Sequence, residues 1–122
     1  MADNGKVVVN LATGLEDAER VTVAFLVAGA ALDRGKQVVM FLTKEAVRLG
    51  LKGVARGTAC EGCPSLETLF EQYADRGGEL LVCPICFNTK QLSEGDLVAH
   101  ARLAGATPLW EWIGEGATVF SY

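Results

Sequence analysis

The chain holds 122 residues, half of them hydrophobic, which suits one domain with a single core over residues 1–122 and leaves no room for a second. Its formal net charge is -4, with no basic run to displace counterions, so a nucleic-acid groove is excluded. The leading Met-Ala-Asp-Asn-Gly-Lys opens onto an apolar run too short for a signal peptide, and the longest apolar stretch, Val23 to Leu32, is about half a membrane span; a cytoplasmic protein is expected.

Lys6-Val-Val-Val-Asn10 reads as a short buried strand, and the loop Leu11 to Leu15 follows it. Glu16 to Arg20 opens a helix with acids in its first turn, as the helix dipole favours, and the helix runs to about Asp33-Arg34 with Gly35 closing it. Lys36 to Leu42 is a second buried strand. Thr43 is placed to cap a short helix over Lys44 to Leu49, which Gly50 stops. Residues Lys52 to Gly62 carry three glycines and little periodicity, and read as a loop. Ser65 caps a helix over Leu66 to Arg76, Gly77-Gly78 ends it, and Glu79 to Cys83 forms a third strand. Asp96 is expected to cap a helix from Leu97 to Ala104, with a short strand over Ala106 to Leu109, a short helix at Trp110 to Ile113 and a last strand from Ala117 to Tyr122.

Strands alternating with helices at this spacing make βαβ units and a parallel sheet covered on both faces. From Val21 to Leu32 the first helix is apolar almost all round, with Thr22 the main exception. A helix covering one face of a sheet needs a polar stripe toward water, so a second buried face, and hence a homo-oligomer, is inferred.

The four cysteines form two Cys-x-x-Cys pairs, Cys60/Cys63 and Cys83/Cys86, with nineteen residues between them. In a reducing compartment they favour metal binding or catalysis over structural disulfides. Two pairs at that interval match the template for a zinc site closed by Cys60, Cys63, Cys83 and Cys86. Zinc ribbons, however, put each pair on a tight hairpin, whereas these nineteen residues hold a helix and a strand. The helix carries the chain roughly 16 Å out, and the strand returns it about as far, so Cys63 and Cys83 are both expected at the carboxyl rim of the sheet. Spacing alone leaves zinc, a disulfide relay and a shared thiol pocket open.

Cys83 has the strongest setting. It ends an apolar strand, and Pro84 suits the first helical position, which makes Cys83 the N-cap. Unpaired N–H groups at such a place favour a thiolate, the nucleophile for attack on a persulfide or disulfide. Cys86, about one turn on, is placed to resolve a disulfide or share a persulfide sulfur. A dithiol oxidoreductase using Cys83 and Cys86 lacks the thioredoxin pattern, since Pro84 follows the first cysteine instead of preceding the second. Elsewhere signals are weaker. The Asn10, Thr13, Gly14 loop lacks any G-x-G-x-x-G or Walker sequence. His100, the only histidine, is read as a surface or packing residue in the middle of a helix, not as an acid or base. Trp110 and Trp112 are expected at the core edge or an interface; Lys90 is a candidate for positive charge near Cys83, weighed against a simply solvated lysine.

With these residues in view, the chain resembles the DsrE/DsrF-like family, which takes in DsrE-, TusD- and YchN-type proteins. The likeness spans KVVVNLATGLEDAER, VTVAFLVAGAAL and KQVVMFLT, then EGCPSLETLFEQYADRGGELLVCPICF and the closing ATVFSY. The resemblance implies a three-layer α/β/α fold with a mainly parallel five-stranded sheet and flavodoxin-like layering, and assembly into trimers or hexamers. It implies a sulfur carrier or sulfurtransferase that accepts sulfane sulfur from a donor protein as a persulfide and passes it to an acceptor protein, a role that falls here on Cys83 with Cys86 in support and no resident cofactor. Some relatives carry a peroxiredoxin label. Relatives often show an Arg-Gly pair after the cysteine; here the run is Phe87-Asn-Thr-Lys-Gln91, and the Cys60/Cys63 pair is not a general family feature.

Overall fold

A computed structural model describes residues 5–122; residues 1–4, part of the segment weighed above as a leader, lie outside it. Five strands, β1 (Lys6–Leu11), β2 (Gln37–Leu42), β3 (Glu79–Val82), β4 (Ala101–Leu103) and β5 (Thr118–Ser121), form one sheet in the order β4-β3-β2-β1-β5. Every pairing is parallel. Between the strands run α1 (Ala18–Asp33), α2 (Leu66–Asp75), α3 (Pro84–Thr89) and α4 (Ala106–Ile113), with 3-10 turns at Leu15–Asp17, Lys44–Gly50 and Glu94–Asp96.

The register explains the layering. Val9 pairs with Met40 and Met40 with Leu80, so alternate residues of the three central strands share a face. Val7, Val9, Leu11, Val38, Met40, Leu42, Leu80 and Val82 meet Val21, Ala24, Phe25, Ala28, Leu66 and Tyr73 of α1 and α2 in the larger core. The opposite face is smaller: Val8, Val39 and Leu81 are covered by Leu109, Trp112 and Ile113 of α4. Burial on both faces is why these strands read as unbroken apolar runs.

Helix α1 begins where the Asp17 carboxylate accepts the Arg20 N–H at 3.0 Å, and closes at Arg34 followed by Gly35 in the left-handed region (φ 81°). Thr22, the polar exception in its apolar face, is buried, and its hydroxyl donates to the Ala18 carbonyl at 2.8 Å. Val23 and Leu26 on the same helix remain 40% and 44% exposed. Ser65 and Thr43 take the expected N-cap positions, although neither side chain makes a capping hydrogen bond.

Two expectations near the C-terminus are corrected. Leu97 to Ala104 is not a helix: Leu97 bridges to Leu51, Ala99 and His100 form a turn, and Ala101–Leu103 is strand β4 alongside Leu80–Val82. Ala106 to Leu109 is not a strand but the first half of α4, which runs on through Trp110 and Trp112. Pro108 sits in its first turn, where a missing N–H costs nothing.

Candidate functional site at the carboxyl rim

Strands β1, β2 and β3 end together at Leu11, Leu42 and Val82. The next residue after β3 is Cys83. Its N–H donates to the Leu42 carbonyl at 3.0 Å and its carbonyl accepts from Phe87 at 3.0 Å, so one residue both finishes the sheet and starts α3. Cys83 has extended backbone angles (φ -60°, ψ 118°), the N-cap conformation, and Pro84 takes the first helical position. Pro84 has no N–H, so the amides of Ile85 and Cys86 are the ones a capping atom reaches. The Cys83 side chain makes no capping hydrogen bond, and its sulfur is left untied.

Cys83 and Cys86 are both free and half-buried, packed at the edge of the larger core. Phe87, fully buried, pins α3 down, while Ile85 between the two cysteines stands 77% exposed. The turn therefore presents two thiols around an outward apolar side chain. Ile85 was not singled out from sequence, though its place at the second helical position, opposite Phe87, carries the signal.

The strand that delivers Cys83 is set by Tyr73 at the end of α2. The Tyr73 hydroxyl donates to the Glu79 carbonyl at 2.6 Å, and burial, reinforced by the Glu79 charge, pushes its phenol up so that it stays protonated. A Cβ at Gly78 would fall into the Tyr73 ring, which is why the helix leaves through Gly77-Gly78. The larger core thus fixes where β3 starts, and β3 fixes Cys83.

The other pair is placed differently. Cys60 and Cys63 lie in the loop before α2 and are joined to each other by a disulfide. The compartment argument against disulfides does not hold for this pair. The structure does not bring the two pairs together as a zinc site needs: a bonded pair offers no thiolates, and among the described residues no three His, Cys, Asp or Glu side chains converge as a metal would require.

The remaining candidates fall into structural places. His100 lies in the turn before β4, not in a helix; its carbonyl accepts from Leu80, and its ring packs edge-on against Phe70 at 5.0 Å. Its Nε2 is buried without a hydrogen-bond partner among the described residues, and burial lowers the imidazole below its ordinary range. Lys90 is not free in solvent, since its ammonium lies 3.9 Å from the Glu45 carboxylate. In the loop after β1, the Gly14 N–H is taken by the Glu16 carboxylate at 2.9 Å, where an anion would otherwise sit. Trp112 packs at the edge of the smaller core under Lys6, whereas Trp110 is 70% exposed.

The model of the DsrE/DsrF-like family matches residues 6–122. The chain belongs to that family. It is 32% identical over 104 residues to Uncharacterized protein MK0008 of Methanopyrus kandleri, covering 85% of this chain and 83% of that one. Uncharacterized protein MJ0760 of Methanocaldococcus jannaschii is 24% identical over 103 residues, and the match covers 84% of this chain but only 38% of that longer protein. Among solved structures, YchN of E. coli superposes with a TM-score of 0.76 at 17% identity, covering 98% of this chain and all of the other. BT1422 of Bacteroides thetaiotaomicron gives 0.66 at 21% identity, covering 100% of this chain and 98% of the other. These likenesses show the shared three-layer fold. Among the described residues, no helix is long and apolar enough to cross a membrane.

Proposed function

We propose that this DsrE/DsrF-like protein is a sulfur carrier: Cys83 accepts sulfane sulfur as a persulfide and hands it to a partner. The supporting observation is the untied, half-buried Cys83 sulfur at the junction of β3 and α3. In the accepting step the Cys83 thiolate attacks the outer sulfur of a donor persulfide, a Cys83 S–S bond forms, and the donor leaves as a thiolate. In the delivering step an acceptor nucleophile attacks that outer sulfur and Cys83 departs as thiolate. No electrons are gained or lost overall. Cys86, three residues on in the same turn, is placed to share the transferred sulfur or to resolve a mixed species.

The reaction belongs in a reducing, cytoplasmic compartment, where the two thiols stay free. A second copy of the chain is the fitting cover for Val23 and Leu26 on α1 and for Val119 and Phe120 on the edge strand β5, which are 40 to 55% exposed. That supports a homo-oligomer of the trimer or hexamer kind. Light scattering should return a multiple of the chain mass, and Leu26→Asp should lower it.

Exposure to a persulfide donor, followed by mass spectrometry, should add the mass of one or more sulfur atoms to the peptide carrying Cys83. Cys83→Ser should abolish the addition. Undiminished labelling in that variant would show the assignment to be wrong.

A further inference from the structure

Two segments flank the second cysteine pair. The loop between the 3-10 turn Lys44–Gly50 and α2 passes through Gly53, Gly57 and Gly62, all in the left-handed region, with open space where a side chain would stand. Its base is already shut by main chain, since the Leu66 N–H donates to the Thr58 carbonyl at 2.9 Å. The Cys60–Cys63 bond lies wholly inside that closure. A further backbone bond, Cys63 N–H to the Cys60 carbonyl at 3.0 Å, forms the turn that brings the two Cα atoms to 5.2 Å.

As a staple this disulfide is redundant. It bridges a separation of three residues within one loop, and the chain entropy removed from the unfolded state is smallest for the shortest loops. It ties no distant segments together. Its surroundings, by contrast, suit exchange. Glu61, Gly62, Pro64 and Ser65 beside it are exposed, and both cysteines are only partly covered. The two sulfurs also differ. Cys63 Sγ faces the Glu61 carbonyl of its own turn at 3.8 Å, whereas Cys60 Sγ rests 3.9 Å from Thr22 Oγ1 on α1.

We propose that Cys60–Cys63 is a thiol–disulfide exchange site, reduced and reoxidised by a dithiol protein of the Cys-x-x-Cys class, with Thr22 receiving the sulfur that leaves. The partner's thiolate attacks Cys63 Sγ, the bond to Cys60 breaks, and its electron pair goes to Cys60 Sγ. The Thr22 hydroxyl, which donates to the Ala18 carbonyl, turns to the departing sulfur. The partner's second thiolate then attacks its own sulfur in the mixed disulfide and releases Cys63. The partner leaves oxidised by two electrons, and solvent protonates the two new thiols; an oxidised partner runs the same steps backward. In the reducing cytosol of mesophiles the disulfides that do form are usually of this transient, exchanging kind. The exchange uses no atom of Cys83 and holds whether or not Cys83 carries sulfur.

The test uses the full chain carrying Cys83→Ser and Cys86→Ser, treated with diamide and then blocked with iodoacetamide, so that Cys60 and Cys63 are the only cysteines left to react. Substoichiometric thioredoxin with its reductase and NADPH is added, and new thiols are trapped with N-ethylmaleimide. The expected result is one NADPH consumed per chain, with the second label on Cys60 and Cys63. Thioredoxin lacking its resolving cysteine should remain attached at Cys63. Thr22→Val should slow the reduction about tenfold, the worth of one charge-assisted hydrogen bond, and Thr22→Ser should restore it. Capture of Cys60 and Cys63 by iodoacetamide after diamide, or no NADPH consumption, would overturn the proposal. Attachment at Cys60 would overturn the assigned direction of attack.

Discussion

Two cysteine pairs with the same spacing meet opposite fates in this fold. Cys60 and Cys63 sit in a glycine-rich loop, and Gly62 at φ 77° lets the chain turn back until the sulfurs bond. Cys83 and Cys86 are held by a strand end and a helical turn, and both stay free. The Cys-x-x-Cys spacing is therefore silent about chemistry; the backbone beneath it decides. A loop allows the pair to close on itself, whereas an N-cap holds its first cysteine extended and its sulfur untied.

The difference can be broken from either side. The largest effect is expected at Gly78→Val, which drives a branched side chain into the Tyr73 ring. It should cost about 3 kcal/mol in urea unfolding and disturb persulfide labelling at Cys83, with the Cys60–Cys63 bond unaffected. Tyr73→Phe removes the hydrogen bond to Glu79 and leaves a part-buried carbonyl short of a donor, a loss of about 1 kcal/mol with the same asymmetry. Gly62→Val acts on the other pair: a β-branched residue in the left-handed region costs about 1–2 kcal/mol. It should make the disulfide roughly tenfold easier to reduce, read by thiol trapping, with labelling at Cys83 unchanged.

The smallest effect is a pH dependence common to both pairs. Burial lowers His100, so as pH falls the unfolded chain takes up this proton before the folded one. The corresponding stability is present above about pH 6.5, the ordinary histidine value, and is lost as pH drops below it. His100→Phe keeps a ring against Phe70 and removes the titration. Its thermal midpoint should fall less than that of the native chain between neutral and mildly acid pH.

The first two-thirds of the fold was legible because strong local signals agreed with the tertiary result. Val7 to Val9, Val38 to Leu42 and Leu80 to Val82 are apolar runs bounded by polar or glycine residues, and Pro84 marked the N-cap at Cys83. After Gly95 the local and tertiary signals part. The alanine-rich stretch around His100 has helical composition, yet pairing of Ala101–Leu103 with Leu80–Val82 extends the sheet and wins. For the next segment, Gly105 before a helix with Pro108 in its first turn was the missed cue. The Cys60–Cys63 bond was hidden for another reason: compartment alone argued for thiols, while the glycine at φ 77° that closes the turn shows only in three dimensions.

Because every strand points the same way and β5 lies beside β1, the Tyr122 N–H bonds the Asn10 carbonyl, and the Tyr122 carbonyl takes the Ala12 N–H. Any fusion joined after Tyr122 therefore emerges on the edge that carries the thiols, whereas one joined ahead of Gly5 starts from the far edge. Affinity handles and fluorescent reporters belong on the latter.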